Sequence, residues 1–301
     1  MMKLYRVLIT PTSDFVTKLK GDTLFGQICW AIFYRFGQER LSNLLEAYAK
    51  EEQRPFLVVS DAFPSGYLPK PKMPSHLLGE KSEEKKLNRK KIWLTLQELQ
   101  EGAYTKAKSD KEIQNSDKSD VTIHNALNYK TFHTGEGFDP HALAVAHLGK
   151  KDVYVLLDES QLSFNDFIEV FELLGSMGYG KKATIGKGRF SFQKEEIKAI
   201  DVENRSKVFM TLSPFSPKGV GTDTIFYEPF TRFGKFGGER AYKNAFKKPI
   251  LLADTASVVV FDEVQTHQYL GRAVTGLSDI SEYSDTVHQG YGIVLPLKEL
   301  R

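Results

Sequence analysis

Apolar positions along this chain switch between a period of two and a helical period of about 3.6, and the order of the switches outlines a fold. Leu4 to Ile9 is a short, β-branched run that reads as a strand, and a polar loop then carries the chain through Lys20 to a turn at Gly21. Leu24, Ile28 and Ile32, with Phe25, Cys29, Phe33 and Phe36, recur at helical spacing until Gly37 ends the run, and Asp22 or Thr23 is placed to N-cap it. Leu41, Leu44, Leu45 and Tyr48 predict a second, shorter helix, and Pro55 to Ser60 returns as a strand. The alternation resumes much later. Asp152 to Leu157 reads as a strand, and Ser163 caps a helix whose inward face is Phe164, Phe167, Ile168, Phe171 and Leu174. Arg189 to Phe192 closes the unit.

This β-α-β, excursion, β-α-β order predicts an α+β chain whose first half is a ferredoxin-like, RRM-type domain over residues 1–204, interrupted by a large thumb-like insertion at 63–150. Within the insertion, the charged run from Lys81 to Lys91 reads as a solvated helix face, and Ser109 to Asp120 as a mobile polar loop. From 205 to 301, Lys207 to Leu212, Ile250 to Leu252, Ser257 to Phe261 and Tyr291 to Leu297 read as strands without a strong pair of helices. That half is either a second, degenerate ferredoxin-like domain or a β-rich lobe packed on the first. A length of 301 residues favours two domains over one.

Between the last helix and strand of the first half lies Gly178 to Phe190, with four glycines and four cations. Glycines reach positive φ and let backbone N–H groups form a concave nest for anions, to which Lys181, Lys182, Lys187 and Arg189 add charge. The candidate RNA contacts here are Gly180, Lys181, Lys182, Thr184, Gly186, Lys187, Gly188 and Arg189, with Tyr179 as a stacking ring. A nucleotide-binding P-loop does not fit: five residues separate Gly180 from Gly186, Gly188 stands where Ser or Thr should hold magnesium, and the loop runs from helix to strand. Lys18, Lys20 and Thr23 flank the Gly21 turn, where a helix N-terminus favours phosphate, whereas Asp22 would repel it and is assigned to capping. Arg232 and Lys235 frame a second glycine-rich segment, Phe233 to Gly238, that can extend an RNA track. A flexible basic surface turn is the alternative reading of both loops.

Lysine and arginine total 41 against 38 acidic residues, so a nucleic-acid site must be local rather than a property of net charge. The only cysteine, Cys29, excludes an internal disulfide and a Cys-based zinc cluster, and the histidines of the insertion lack zinc-ligand spacing. No metal or cofactor is expected. The opening Met1 to Thr10 has too short an apolar run for a signal peptide, and no window reaches transmembrane length, so the expectation is a cytoplasmic protein.

Taken together, Gly21-Asp-Thr-Leu-Phe-Gly26 with Cys29-Trp-Ala31, Leu68-Pro-Lys-Pro71, His124-Asn125, the glycine loop and Gly290-Tyr-Gly-Ile-Val-Leu-Pro296 resemble, in order and spacing, one family. It is the RAMP-superfamily subunit that binds the crRNA 5′ handle in type III-A CRISPR effector complexes, the fourth Csm subunit. The resemblance runs nearly end to end and departs at Tyr129-Lys130, where the family pattern often has an arginine. It implies a non-catalytic RNA-binding scaffold whose partners are the crRNA 5′ handle, the large cyclase- and polymerase-like Cas subunit, a backbone RAMP subunit and, indirectly, target RNA. It adds His124 and Asn125 as RNA contacts. The alternatives are a metal-independent endoribonuclease that processes the crRNA precursor, with His124 as general acid or base, and a protein-only assembly factor.

Overall fold

The computed structural model describes residues 2–299 apart from 115, 135, 136, 138, 203, 223 and 242–245. It is a mixed α/β protein of several antiparallel sheets and few helices. In the first half β1 (Lys3–Pro11) leads to α1 (Gly21–Phe36), α2 (Gln38–Ala49) and β2 (Leu57–Pro64). The chain then leaves the sheet for β3 (Leu68–Pro69), α3 (Lys85–Asn88), β4 (Lys91–Leu94), α4 (Leu96–Glu101), β5 (Lys108–Ser109) and the hairpin β6 (Lys118–His124) and β7 (His141–His147). It returns as β8 (Lys151–Leu157), α5 (Phe164–Met177), β9 (Phe190–Phe192) and β10 (Lys198–Ala199). β8 lies between β1 and β2, and β9 and β10 both pair with β1 on its other side. All these pairings are antiparallel.

The helices form where the period predicts. Ser163 caps α5 by accepting from Asp166 N at 3.1 Å, and Gly37 ends α1 at a positive φ of 88°. The start of α1 differs from the sequence reading. Lys20 holds the N-cap position without a side-chain capping bond of its own; instead Asp61 Oδ1 accepts from Gly21 N at 2.8 Å, and Asp22, buried inside the first turn, accepts from Thr23 N at 2.8 Å. Tyr5 packs on Phe164 of α5 with ring centroids 4.8 Å apart, which sets one face of the sheet against the helices.

The other face is covered as well. β11 (Arg205–Thr211), β12 (Thr224–Phe226), β13 (Pro229–Arg232), β14 (Ile250–Ala253), β15 (Val258–Thr266), β16 (Tyr269–Gly271) and β17 (Tyr291–Pro296) make up the second half. They form a five-stranded sheet in the order β12-β15-β11-β17-β16 and a β13-β14 ribbon, with no α-helix among the described residues. Met210, Ile293 and Leu295 from this half join Val7, Leu24, Phe171 and Leu156 in one continuous core. Every residue of β8 is buried, so the first sheet is not an open RRM-type surface and bases cannot stack on its central strand.

The insertion is also part of that core. Leu68, Leu94, Leu99 and Tyr104 pack into it, and Ser109 to Asp120 is not a featureless loop: it includes the buried Ile113 and the first three residues of β6.

Candidate nucleic-acid interface

Residues 12–20 form a strap that joins β1 to α1 and touches both prominent surface features. Its hydrogen bonds to the glycine loop are regular: Gly188 N donates to Asp14 O (2.7 Å), Arg189 N to Ser13 Oγ (2.8 Å) and Lys181 N to Thr17 Oγ1 (3.0 Å). Phe15 exchanges two backbone bonds with Ala146 of β7, at 2.9 and 2.8 Å. The Asp14 carboxylate then joins the two features, Oδ2 at 2.5 Å from Lys187 Nζ and Oδ1 at 2.6 Å from His147 Nδ1. The Lys187 hydrogen bond holds the Asp14 carboxyl below the usual carboxylate range, against the upward push of burial.

The glycine loop is folded on itself rather than shaped as an open nest. Gly178, Gly180, Gly186 and Gly188 all adopt positive φ, as the sequence predicts, and Lys182 joins them at 67°. Most of the loop's donors face protein, however: Ile185, Gly186 and Lys187 N bond to carbonyls of Lys182 and Ala183, and Tyr179 N to Gly188 O. A Cβ on Gly188 would sit 2.1 Å from Tyr179 O, so that glycine serves internal packing and not approach by a ligand.

Several residues predicted to touch RNA are committed inside the protein. Tyr179 is fully buried, its hydroxyl donates to Lys18 O at 2.8 Å, and burial pushes its pKa up, so its ring cannot serve as a stacking platform. Lys20 Nζ lies 2.9 Å from Asp61 and 2.7 Å from Asp254, both largely enclosed; burial works against its charge, but the two carboxylates outweigh it and raise the pKa. Arg232 grips Asp22 with two bonds of 2.6 and 2.7 Å. Thr23 stays within α1 beside Asp22, with its hydroxyl 3.4 Å from Asp22 Oδ1. The partners of Tyr179, Lys20 and Arg232 come from elements distant in sequence, and local pattern carries no sign of them.

What remains for a ligand is Lys18, Lys181, Lys182, Thr184 and Arg189, all exposed around the strap and glycine loop, with no carboxylate partner for the four cations among the described residues. Lys235 is exposed and lies 4.7 Å from the Phe246 ring centre. The Phe233 to Gly238 segment packs on α1: a Cβ at Gly237 would meet Trp30 Nε1 at 2.4 Å.

The hairpin is the second part of the candidate interface. His124 ends β6 and pairs in register with His141, their rings 5.8 Å apart and nearly parallel at 25°. His124 Nε2 lies 3.1 Å from Thr122 Oγ1, and Asn125 is exposed at the entry to the tip. Sequence reading singled out the His-Asn pair but not the rings beyond it: Tyr129 and Phe132 are each 78% exposed, beside the exposed Leu127 and Lys130. The alternation Asp120-Val-Thr-Ile-His124 was the available signal for the strand that carries them.

No family model matches the chain, and no curated protein matches it. Solved structures do. A chain in the crystal structure of a Csm1–Csm4 cassette in complex with cA4 superposes with a TM-score of 0.59 at 19% identity, over 99% of this chain and 98% of that one. A chain of the Csm3–Csm4 subcomplex from a type III-A CRISPR-Cas interference complex superposes at 0.58 and 15% identity, over 99% and 100%. Csm4 is common to both assemblies, and the fold is that of a Csm4-like subunit. Among the described residues, no helix is long and apolar enough to cross a membrane.

Proposed function

We propose that this chain is a non-catalytic, RNA-binding subunit of a type III-A CRISPR effector complex, holding the crRNA 5′ handle and anchoring the large Cas subunit beside a backbone RAMP subunit. The observation that carries the reading is the convergence on one strap of two exposed features. One is a loop whose cations Lys181, Lys182 and Arg189 lack carboxylate partners among the described residues, and the other is a projecting hairpin with bare aromatic rings. Cations track phosphates and exposed rings stack single-stranded bases, which is the division of labour of sequence-tolerant single-strand binding. The first sheet with α1 and α5 is read as one ferredoxin-like unit, its helical layer inside and the strap at one end. The fold of Csm4-like chains, found in assemblies with Csm1 and Csm3, supports the same partners here.

The His124–His141 pair is a feature that a crRNA-processing endoribonuclease could use, and a cleavage assay beside the pull-down addresses it. Tagged chain is purified from cells and its RNA sequenced, for the wild type and for a Lys181→Ala, Lys182→Ala, Arg189→Ala variant. The reading expects short RNAs with a common 5′ end and a large Cas subunit in the wild type, with the RNAs depleted in the variant. RNA-free wild-type complex would overturn it, and specific cuts in labelled repeat RNA in EDTA would overturn its non-catalytic part.

A further inference from the structure

The charged run of the insertion carries more positive charge than the whole chain. Residues 81–91 contain six cations against two glutamates, a net of +4, where the full sequence has +3. Lys85, Lys86, Arg89 and Lys90 are all exposed, and none has a carboxylate within ion-pairing distance among the described residues. α3 with Arg89, whose φ of −65° and ψ of −25° continue the helical turn, sets Lys85 over Arg89 and Lys86 over Lys90. Like charges at this spacing destabilise a helix, so the arrangement opposes the folding of its own segment. The turn is nonetheless held in place: Lys70 Nζ, largely buried, donates to Asn88 O at 2.8 Å while paired with Glu80 at 2.5 Å. Leu87 and Ile92 are exposed beside the cations, at 51% and 37%. A local rule broken on a fixed platform, with no compensating contact, marks a surface kept for a ligand.

We infer that the α3 turn is a second nucleic-acid site, separate from the strap and glycine loop, that takes the phosphate backbone of a single RNA strand. Cations at i and i+4 stand roughly 5–6 Å apart at Cβ, a spacing comparable to that of successive phosphates along a strand. The exposed Leu87 side chain lies among them, where a ribose or base edge can rest. A flexible single strand reaches all four cations without the regular groove a duplex would demand.

The test is the full-length chain with Lys85→Ala, Lys86→Ala, Arg89→Ala and Lys90→Ala, titrated with a fluorescently labelled homopolymeric single-stranded RNA across a series of salt concentrations. Removing one cation from a phosphate lowers the slope of log K against log salt by about 0.7, so a fall of about 2–3 is expected, with a melting temperature unchanged or raised. Wild-type affinity and slope would overturn the inference, as would a variant that loses only binding to an acidic peptide while its RNA slope persists. The Lys181→Ala, Lys182→Ala, Arg189→Ala variant runs in parallel. If it alone responds, the second site fails and the handle reading stands; if the α3 variant alone responds, the reverse holds. Should the fourfold variant not fold, Lys86→Gln with Lys90→Gln carries the same test with a fall of about 1.4 in slope.

Discussion

Asp22 and Arg232, 210 positions apart in the chain, meet in a two-pronged ion pair of 2.6 and 2.7 Å that ties the first turn of α1 to β13. The Asp22 side chain is wholly buried and that of Arg232 is 23% exposed. His288 Nε2 approaches the same carboxylate to 3.3 Å without completing a hydrogen bond. The pair fastens the second half of the protein to the end of the helix that stands nearest the strap, and it takes Arg232 away from any RNA track.

Arg232→Ala should therefore act on stability and not on RNA. Removing one partner of a buried pair leaves an uncompensated charge and costs about 3–5 kcal/mol. The pH dependence has a definite sign. Burial alone would raise the Asp22 carboxyl, but His288 and Arg232 outweigh it and hold it well below the usual range. A depressed pKa adds stability that is present above the unfolded value of about 3.9 and is lost as pH falls below it. Wild type should lose stability between about pH 5 and pH 3 more steeply than the variant, in which burial again dominates the carboxyl. Parallel melting curves across that range would sink the assignment.

Glycines 186 and 188 share a positive φ, 84° and 78°, but not a role. A Cβ at Gly186 meets nothing within 4 Å, so Gly186→Ala costs only the left-handed backbone, about 1–2 kcal/mol. Gly188→Ala adds a collision with the Tyr179 backbone and disturbs the bond from Gly188 N to Asp14 O, and should exceed about 3 kcal/mol. Denaturant titration of both variants measures this; equal losses would mean that the loop relaxes freely.

What the sequence pattern made legible is whatever one buried face writes at short range. Leu24, Ile28 and Ile32 mark α1, Phe167, Phe171 and Leu174 mark α5, and all are buried in the core. The order of strands around the insertion read at 63–150 followed from the same signal, although Phe63 and Pro64 still belong to β2. Site residues were less legible because a cation's availability depends on partners remote in sequence. Lys20 and Arg189 look alike in the sequence, yet one is locked between Asp61 and Asp254 and the other is exposed. Tyr179 beside four cations suggests a stacker, but its hydroxyl reaches back to Lys18 O, 161 residues away, and carries the ring inside. The face of the first sheet, open by analogy with RRM folds, is covered by strands of a half whose packing no local period encodes.

The neighbouring cations Lys187 and Arg189 should separate in function. Lys187 is held by Asp14, its side chain 17% exposed, whereas Arg189 is exposed without a carboxylate partner among the described residues. Arg189→Ala should lower the salt slope for single-stranded RNA by about 0.7 with little change in melting temperature. Lys187→Ala should instead lower the melting temperature and speed amide exchange in β6 and β7, because Asp14 then holds only the hairpin side of the strap. Anisotropy titrations and hydrogen exchange on the free protein check the two halves separately; identical profiles for the two variants would refute the division.

The insertion can be trimmed but not removed. Excising residues 65–150 would take Leu68, Leu94, Leu99 and Tyr104 out of the main core. At about 1.5–3 kcal/mol for each buried apolar side chain, that loss is comparable to the roughly 5–15 kcal/mol that stabilises a whole domain, so such a chain should not fold. The hairpin tip is different. Joining His124 to His141 through Asn-Gly matches the antiparallel register of that pair and deletes Leu127, Tyr129 and Phe132, which are 60%, 78% and 78% exposed. The trimmed protein should melt within a few degrees of wild type. Its affinity for single-stranded RNA should fall by about 1–3 kcal/mol for each base that loses a stacking ring, while the phosphate-dependent salt slope persists. In the assembled complex, the first spacer nucleotides should become more uniformly reactive to chemical probes, since no ring then fixes where pairing with target begins. An unchanged reactivity pattern with unchanged affinity would show that the tip does not touch the guide and that the exposed rings face a protein neighbour instead.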